Sequence, residues 1–180
     1  MDFIAMDFET ANRKRASACS LALVVVQQNK VVDSFYTLIN PQMQFDAQNI
    51  HIHGITPEMV QDQPTFDQVW PHIQMFYTPG RIVTAHNAPF DVSVMRLTLD
   101  RYGIAAPRYQ VIDTVKTSRQ FLPKLPNHRL DTVSAALHIP LEHHHNALAD
   151  SYACSRILIA ENEHFGEARI KSMMKLSKAG

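Results

Sequence analysis

Apolar residues along this chain fall into short runs separated by polar clusters, and the runs keep two rhythms. Phe3-Ile4-Ala5-Met6 is a continuous apolar run of strand character, and residues 17–27 form a second, rich in Leu, Val and Ala. Residues 31–39 alternate as a half-buried strand does, across Gln28-Asn29-Lys30 from the run before them, so a three-strand meander is expected. Residues 40–55 show no period and read as a long irregular connection ending in His51-Ile52-His53-Gly54-Ile55-Thr56-Pro57. Loops of that length in compact domains are often functional.

The rhythm then becomes helical. Thr65 offers an N-cap to a segment with Phe66, Val69, Trp70, Ile73 and Phe76; Pro71 predicts a break or kink and Pro79-Gly80 closes it. Residues 81–85 read as a short central strand, and His86-Asn87-Ala88-Pro89 as the turn into a helix that stops at Gly103. Strand, turn and helix predict a parallel crossover. A strand at 109–112, a helix from Asp113 or Thr114, a proline-broken stretch at 123–126 and helices over 129–138 and 146–161 follow. Residues 166–180 are basic and weakly periodic. The expected organisation is one domain over 1–164 and a basic tail or terminal helix over 165–180.

Four acids fall on faces that this pattern turns inward. Side chains alternate along a strand, so Asp7 and Glu9 share one face of the first strand while Ile4, Met6 and Phe8 share the other. Two like charges so placed repel, and burying either one unpaired is costly. On the helix after residue 89, Ser93, Arg96 and Asp100 make the polar side, and Asp91 lies opposite with Val94, Met95, Thr98 and Tyr102. On the last long helix, Ser151, Ser155 and Asn162 form the expected polar stripe, whereas Asp150 is flanked by Ala153, Cys154 and Ile157. An acid in a first helical turn often serves the cap or the dipole, and a strand end can be solvated. Asp150 resists that account because Asn146 is the better cap. One explanation covers all four: carboxylates clustered without sulfur or a repeated histidine pattern select magnesium or manganese over zinc or copper. Two such ions about 3.5–4 Å apart activate a water and stabilise the leaving oxygen of a phosphodiester.

Composition narrows the class. A chain of 180 residues, 46% hydrophobic and 19% charged, is most simply one globular domain. No apolar run approaches the roughly 18 residues of a membrane span, and the N-terminus, interrupted by Asp2 and Asp7, lacks a signal-peptide pattern. A cytoplasmic protein without a membrane partner is expected. Cys19 and Cys154 belong to no CxxC or zinc pattern and read as buried thiols. Lys and Arg number 17 against 17 Asp and Glu, so contact with nucleic acid has to be local rather than driven by a global field.

In the run 142–150, Glu-His-His-His-Asn-Ala-Leu-Ala-Asp, three successive histidines cannot all face one site, so two are expected to be loop residues. His145 precedes the cap Asn146 and can meet the site that Asp150 enters; a neutral imidazole there suits a general base. Taken in order, Asp7-Phe8-Glu9-Thr10, His86-Asn87-Ala88-Pro89-Phe90-Asp91 and His145-Asn146-Ala147-Leu148-Ala149-Asp150 resemble the three motifs of the DEDDh (DnaQ-like) 3′ to 5′ exonucleases. The likeness spans about residues 2–160 and is similar to the exonuclease domain of the DNA polymerase III epsilon subunit. It implies an α/β, RNase H-like fold with a mixed five-stranded sheet flanked by helices. It implies that Asp7, Glu9, Asp91 and Asp150 bind two Mg2+ or Mn2+ ions, and that His145 is the general base. It also implies that Phe8, Thr10 and His53 line the pocket for the 3′ end, with Asn87 and Phe90 as further substrate contacts. The expected reaction releases nucleoside 5′-monophosphates from DNA 3′ ends, single-stranded ends preferred. RNA or short oligonucleotides are the alternative substrate, and a non-catalytic nucleic-acid-binding module or a purely structural domain the alternative roles. No extension that would dock on a polymerase follows the motifs, so a stand-alone enzyme, or one with another partner, is expected.

Overall fold

In the computed structural model, which describes residues 1–177, the first three strands form the expected meander. β1 (Phe3–Thr10) pairs antiparallel with β2 (Ala18–Gln27), and β2 with β3 (Lys30–Leu38). Gln28 and Asn29, at φ 49° and 61°, make the tight β2–β3 turn in the left-handed conformation that matches strand twist. β4 (Ile82–Ala85) lies parallel to β1, β5 (Gln110–Asp113) parallel to β4, and β6 (Lys175–Leu176) antiparallel to β5. The order is β3-β2-β1-β4-β5-β6.

The expectation of five strands is corrected to six. The added one comes from the stretch read as a tail. Its two residues are too few to carry a period; what fixes them is tertiary, with Ser177 N–H donating to the Tyr109 carbonyl at 2.9 Å and Tyr109 N–H to Ser177 Oγ at 3.0 Å. The helical turn before it, Glu167–Lys171, buries Ile170 completely.

Helices cover both faces, and β1 shows how its alternation chooses between them. Ile4, Met6 and Phe8 pack with Phe66, Trp70, Val94, Met95 and Leu99 of α3 (Phe66–Ile73) and α4 (Ala88–Arg101). Phe3 and Ala5 point the other way, into a cluster with Cys154 and Leu158 of α7 (Ala147–Phe165). On that second face, α5 (Thr114–Phe121) and α6 (Leu130–Ala136) pack beside α7. Pro71 does not break α3, which runs through it to Ile73 before giving way to a 3-10 turn over Gln74–Phe76.

Two more expectations are revised. The connection 40–55 is not wholly irregular, because α1 (Ala47–His53) forms inside it and ends at Gly54, φ 75°; α2 (Pro57–Val60) follows. α1 fully buries none of its residues, so it casts no apolar period in the sequence. The Ser151, Ser155 and Asn162 stripe of α7 is buried, not solvated. The serine hydroxyls donate to the Ala22 and Tyr152 carbonyls at 3.3 and 2.8 Å, so small polar side chains let the helix lie close on the sheet. Cys19 and Cys154 are free and buried, as expected. Among the described residues no helix is long and apolar enough to cross a membrane.

Candidate active site

β1 outruns its parallel neighbour, and that mismatch makes the site. β4 pairs with β1 at Ile4 and Ala5 and ends at Ala85, whereas β2 follows β1 as far as Thr10. From Asp7 onward β1 therefore has a strand on one side only, at the carboxyl ends of parallel strands where sites in open α/β sheets lie. The start of α4 fills the vacated side. Asp91, in its first turn, accepts the Phe8 N–H at Oδ1, 3.0 Å, and so takes a donor that no strand reaches. Asp150, in the first turn of α7, arrives from the opposite face of the sheet. Both acids sit at the positive ends of long helices, which favours their ionised forms.

Carboxylate oxygens of Asp7, Glu9 and Asp150 lie within 4.8 Å of one another. Asp91 and Asp150 are buried, while Asp7 and Glu9 keep one edge open to solvent. Removal from water raises the Asp7 carboxyl well above the usual range, and the charges of Asp91, Glu9 and Asp150 push it further. Glu9 rises to about 8 through burial and then through Asp150 and Asp91. Asp91 also rises to about 8 through burial, against the Phe8 hydrogen bond and the Arg15 charge, which pull it down. This oxygen set carries more negative charge than its surroundings neutralise, and it fits hard divalent cations. Three of the four expected acids, Asp7, Glu9 and Asp150, are brought within one cluster, and Asp91 stands beside it through the Phe8 N–H.

The histidine loop adds one expected partner and one that was missed. His145, at φ 69° and exposed, donates its backbone N–H to Asp150 Oδ2 at 3.1 Å. Burial and the neighbouring His144 hold its imidazole below the ordinary value, so the ring is neutral at neutral pH. The His144 ring stacks on it, centroids 3.9 Å apart, and places Nδ1 3.1 Å from both Asp150 oxygens. Three consecutive histidines offer no periodicity that singles out His144. The left-handed turn at His145 puts both rings on the same side.

The remaining residues divide sharply. Phe8 is a correction to the pocket reading: its side chain, 2% exposed, packs on Phe66 at 6.0 Å between centroids, on the face away from Asp7 and Glu9. Only its backbone N–H reaches the site. Thr10 is buried, and its carbonyl is a hub that accepts Asn49 Nδ2 at 2.7 Å and faces His53 Nε2 at 3.2 Å. His53 Nδ1 accepts the Ile55 N–H at 3.0 Å, so Nε2 carries the proton and both ring nitrogens are engaged. What His53 offers a substrate is its ring face. Asn49, absent from the sequence reading, anchors α1 to the end of β1. Asn87 occupies the N-cap position of α4 in the left-handed conformation, φ 72°, without a capping side-chain hydrogen bond, and is exposed, while Phe90 is half-buried. His86 bridges Thr114 Oγ1 at 2.8 Å and the His128 carbonyl at 3.0 Å, fixing the β4–α4 turn.

A family model for exonucleases, RNase_T, matches residues 4–158. The chain is 32% identical over 178 residues to the PolC-type DNA polymerase III of Caldanaerobacter subterraneus subsp. tengcongensis, covering 98% of this chain and 13% of that protein. To the PolC-type enzyme of Lacticaseibacillus paracasei it is 33% identical over 161 residues, 88% of this chain and 11% of that protein. It thus spans only a small fraction of the length of these relatives. Exonuclease X in complex with 5′-overhanging duplex DNA aligns at a TM-score of 0.78 and 26% identity, over 95% of this chain and 96% of that one. E. coli exonuclease I with a dA16 oligonucleotide shares the fold at a TM-score of 0.77 and 20% identity, over 95% of this chain and 42% of that one. These likenesses carry the expected RNase H-like architecture.

Proposed function

The chain belongs to the exonuclease family, in its DnaQ-like group, and from that premise we propose that it removes nucleotides one at a time from the 3′ ends of DNA. The products are nucleoside 5′-monophosphates and the preferred ends are single-stranded. The observation that carries this reading is the trio of Asp7, Glu9 and Asp150 oxygens within 4.8 Å at the open end of β1, with Asp91 behind it and His145 beside it. Asp7, Glu9, Asp91 and Asp150 would hold two Mg2+ or Mn2+ ions. When bound, such ions lower the pKa of a water and neutralise charge on the leaving oxygen.

The chain's own residues do the rest. His145, on an exposed turn tied to Asp150, accepts the proton of the attacking water. Asn49 and His53 hold the Thr10 carbonyl and with it the wall of the cleft where the terminal nucleotide sits, and the His53 ring face packs on that nucleotide. A recessed cleft admits a terminal base only after it leaves its stack, which favours single-stranded ends. The PolC-type relatives support a setting in DNA replication or repair, hence the cytoplasm, with a polymerase as a candidate neighbour.

The test is degradation of matched 5′-labelled DNA and RNA with Mg2+ or Mn2+. A ladder of 3′-shortened DNA, abolished by EDTA and by Asp7→Ala, is the expected result. Internal cuts on a circular single strand, or equal activity in EDTA, would refute the proposal, and a faster RNA ladder would reassign the substrate.

A further inference from the structure

Directly beyond the strand that bears Asp7 and Glu9, the connection from β1 to β2 carries three successive cations, Arg13, Lys14 and Arg15, all exposed. Among the described residues none of the three is paired with a carboxylate. The segment is held in one shape. Ala11 N–H donates to the Ser17 carbonyl at 2.8 Å, Ser17 Oγ to the Lys14 carbonyl at 2.6 Å, and Lys14 N–H to Asn12 Oδ1 at 2.9 Å. Asn12 Nδ2 donates to the Gln44 carbonyl at 2.6 Å, and Thr98 Oγ1 to the Arg15 carbonyl at 3.5 Å, which ties the loop to α4.

Arg15 is positioned more closely still. Its guanidinium lies 4.0 Å above the Phe90 ring, one residue from Asp91, and its charge draws the Asp91 carboxyl down against burial. A guanidinium stacked on an aromatic face keeps its donor fork in plane and its N–H edge free for an anion. The stack covers one face of the Phe90 ring. Phe90 is thus a positioning residue that acts through Arg15. Because positive and negative side chains balance at 17 each, three unpaired cations in an ordered loop that leaves the acid-bearing end of β1, one of them set beside Asp91, supply local charge that a polyanion can use.

We propose that residues 13–15 form the backbone-phosphate subsite for the strand on the 5′ side of the scissile bond, with Arg15, held by Phe90, taking the nearest phosphate and Arg13 and Lys14 those beyond it. This rests on the exonuclease reading above. It assigns to the loop the local charge complementarity that the neutral chain otherwise lacks.

Two substrates separate the subsite from the chemistry: a 5′-fluorescein dT12, and the p-nitrophenyl ester of thymidine 5′-monophosphate, which has no upstream phosphate. In Arg15→Ala, kcat/KM for dT12 should fall at least tenfold more than for the ester, chiefly through KM. The slope of log kcat/KM against log salt should become shallower by about 0.7 for each phosphate that is no longer neutralised. The exposed double variant Arg13→Ala/Lys14→Ala should flatten it as well, and Phe90→Leu should reproduce part of the Arg15→Ala loss. Equal losses on both substrates, or an unchanged salt slope in all variants, would overturn the subsite. A wild-type protein inactive on both substrates would instead sink the exonuclease reading. In that case the salt dependence of dT12 binding by fluorescence anisotropy still decides on the loop, and its insensitivity to all three substitutions would overturn the proposal.

Discussion

Glu161 lies 11 residues beyond Asp150 on α7, about 16 Å along the helix at 1.5 Å per residue, and has no part in the cleft. It is 1% exposed, and neither carboxylate oxygen has a hydrogen-bond partner. The neighbouring Thr117 hydroxyl donates to the Thr114 carbonyl at 3.3 Å, so it pulls the acid only partly back toward its ordinary range. Burial raises the carboxyl from 4.5 to about 8, and the folded protein holds it protonated at neutral pH. The folded-state value exceeds the unfolded one, so the associated stability is whole below pH 4.5 and is lost as pH climbs to about 8. At about 1.4 kcal/mol per pH unit, the whole window carries at most about 5 kcal/mol, and the part between pH 5 and 8 about 3 kcal/mol. Glu161→Gln removes the titration while keeping the shape. Urea unfolding of wild type and variant from pH 5 to 8.5 should show the variant gaining on wild type by about 2–4 kcal/mol across the range. Other raised carboxyls, Glu9 and Asp91 included, cancel in that difference because both proteins carry them. Two stability curves that stay parallel would refute the reasoning. Glu161→Met, which leaves no buried polar atom, should be more stable than wild type throughout and should flatten the same slope.

Two further perturbations bear on the cleft. Asp7→Asn relieves repulsion among crowded carboxylates, so the metal-free variant should melt at least as high as wild type, whereas only wild type should gain several degrees on adding Mg2+ or Mn2+, as binding to the folded state requires. Thermal scans with and without EDTA read both, and an equal metal-dependent gain in the variant would remove Asp7 from the ligand set. His145→Ala should lower kcat by at least about 100-fold if it is the base, while His144→Ala, which removes the ring nitrogen beside Asp150, should weaken the metal dependence first; single-turnover rates over a Mn2+ titration separate the two, and the reverse pattern would exchange their roles.

How much of this was legible beforehand follows from the range over which each feature is set. The four acids could be picked out because strand and helix periodicities state which way a side chain points, and acids on inward faces violate a rule that holds locally. The strands of the meander and the caps at Thr65 and Asn146 are equally local, and they stand where the pattern put them. His144 against Asp150, Asn49 on the Thr10 carbonyl, the two-residue β6 and the Arg15–Phe90 stack join segments far apart or at a backbone turn, and no period encodes them. The buried serines of α7 and the lone buried Glu161 invert the usual reading of polarity, because burial depends on what packs opposite, and the sheet supplies it. Which residues carry charge was written in the chain; which of those charges share a space was decided when β1 outran β4 and two helix ends closed on the gap.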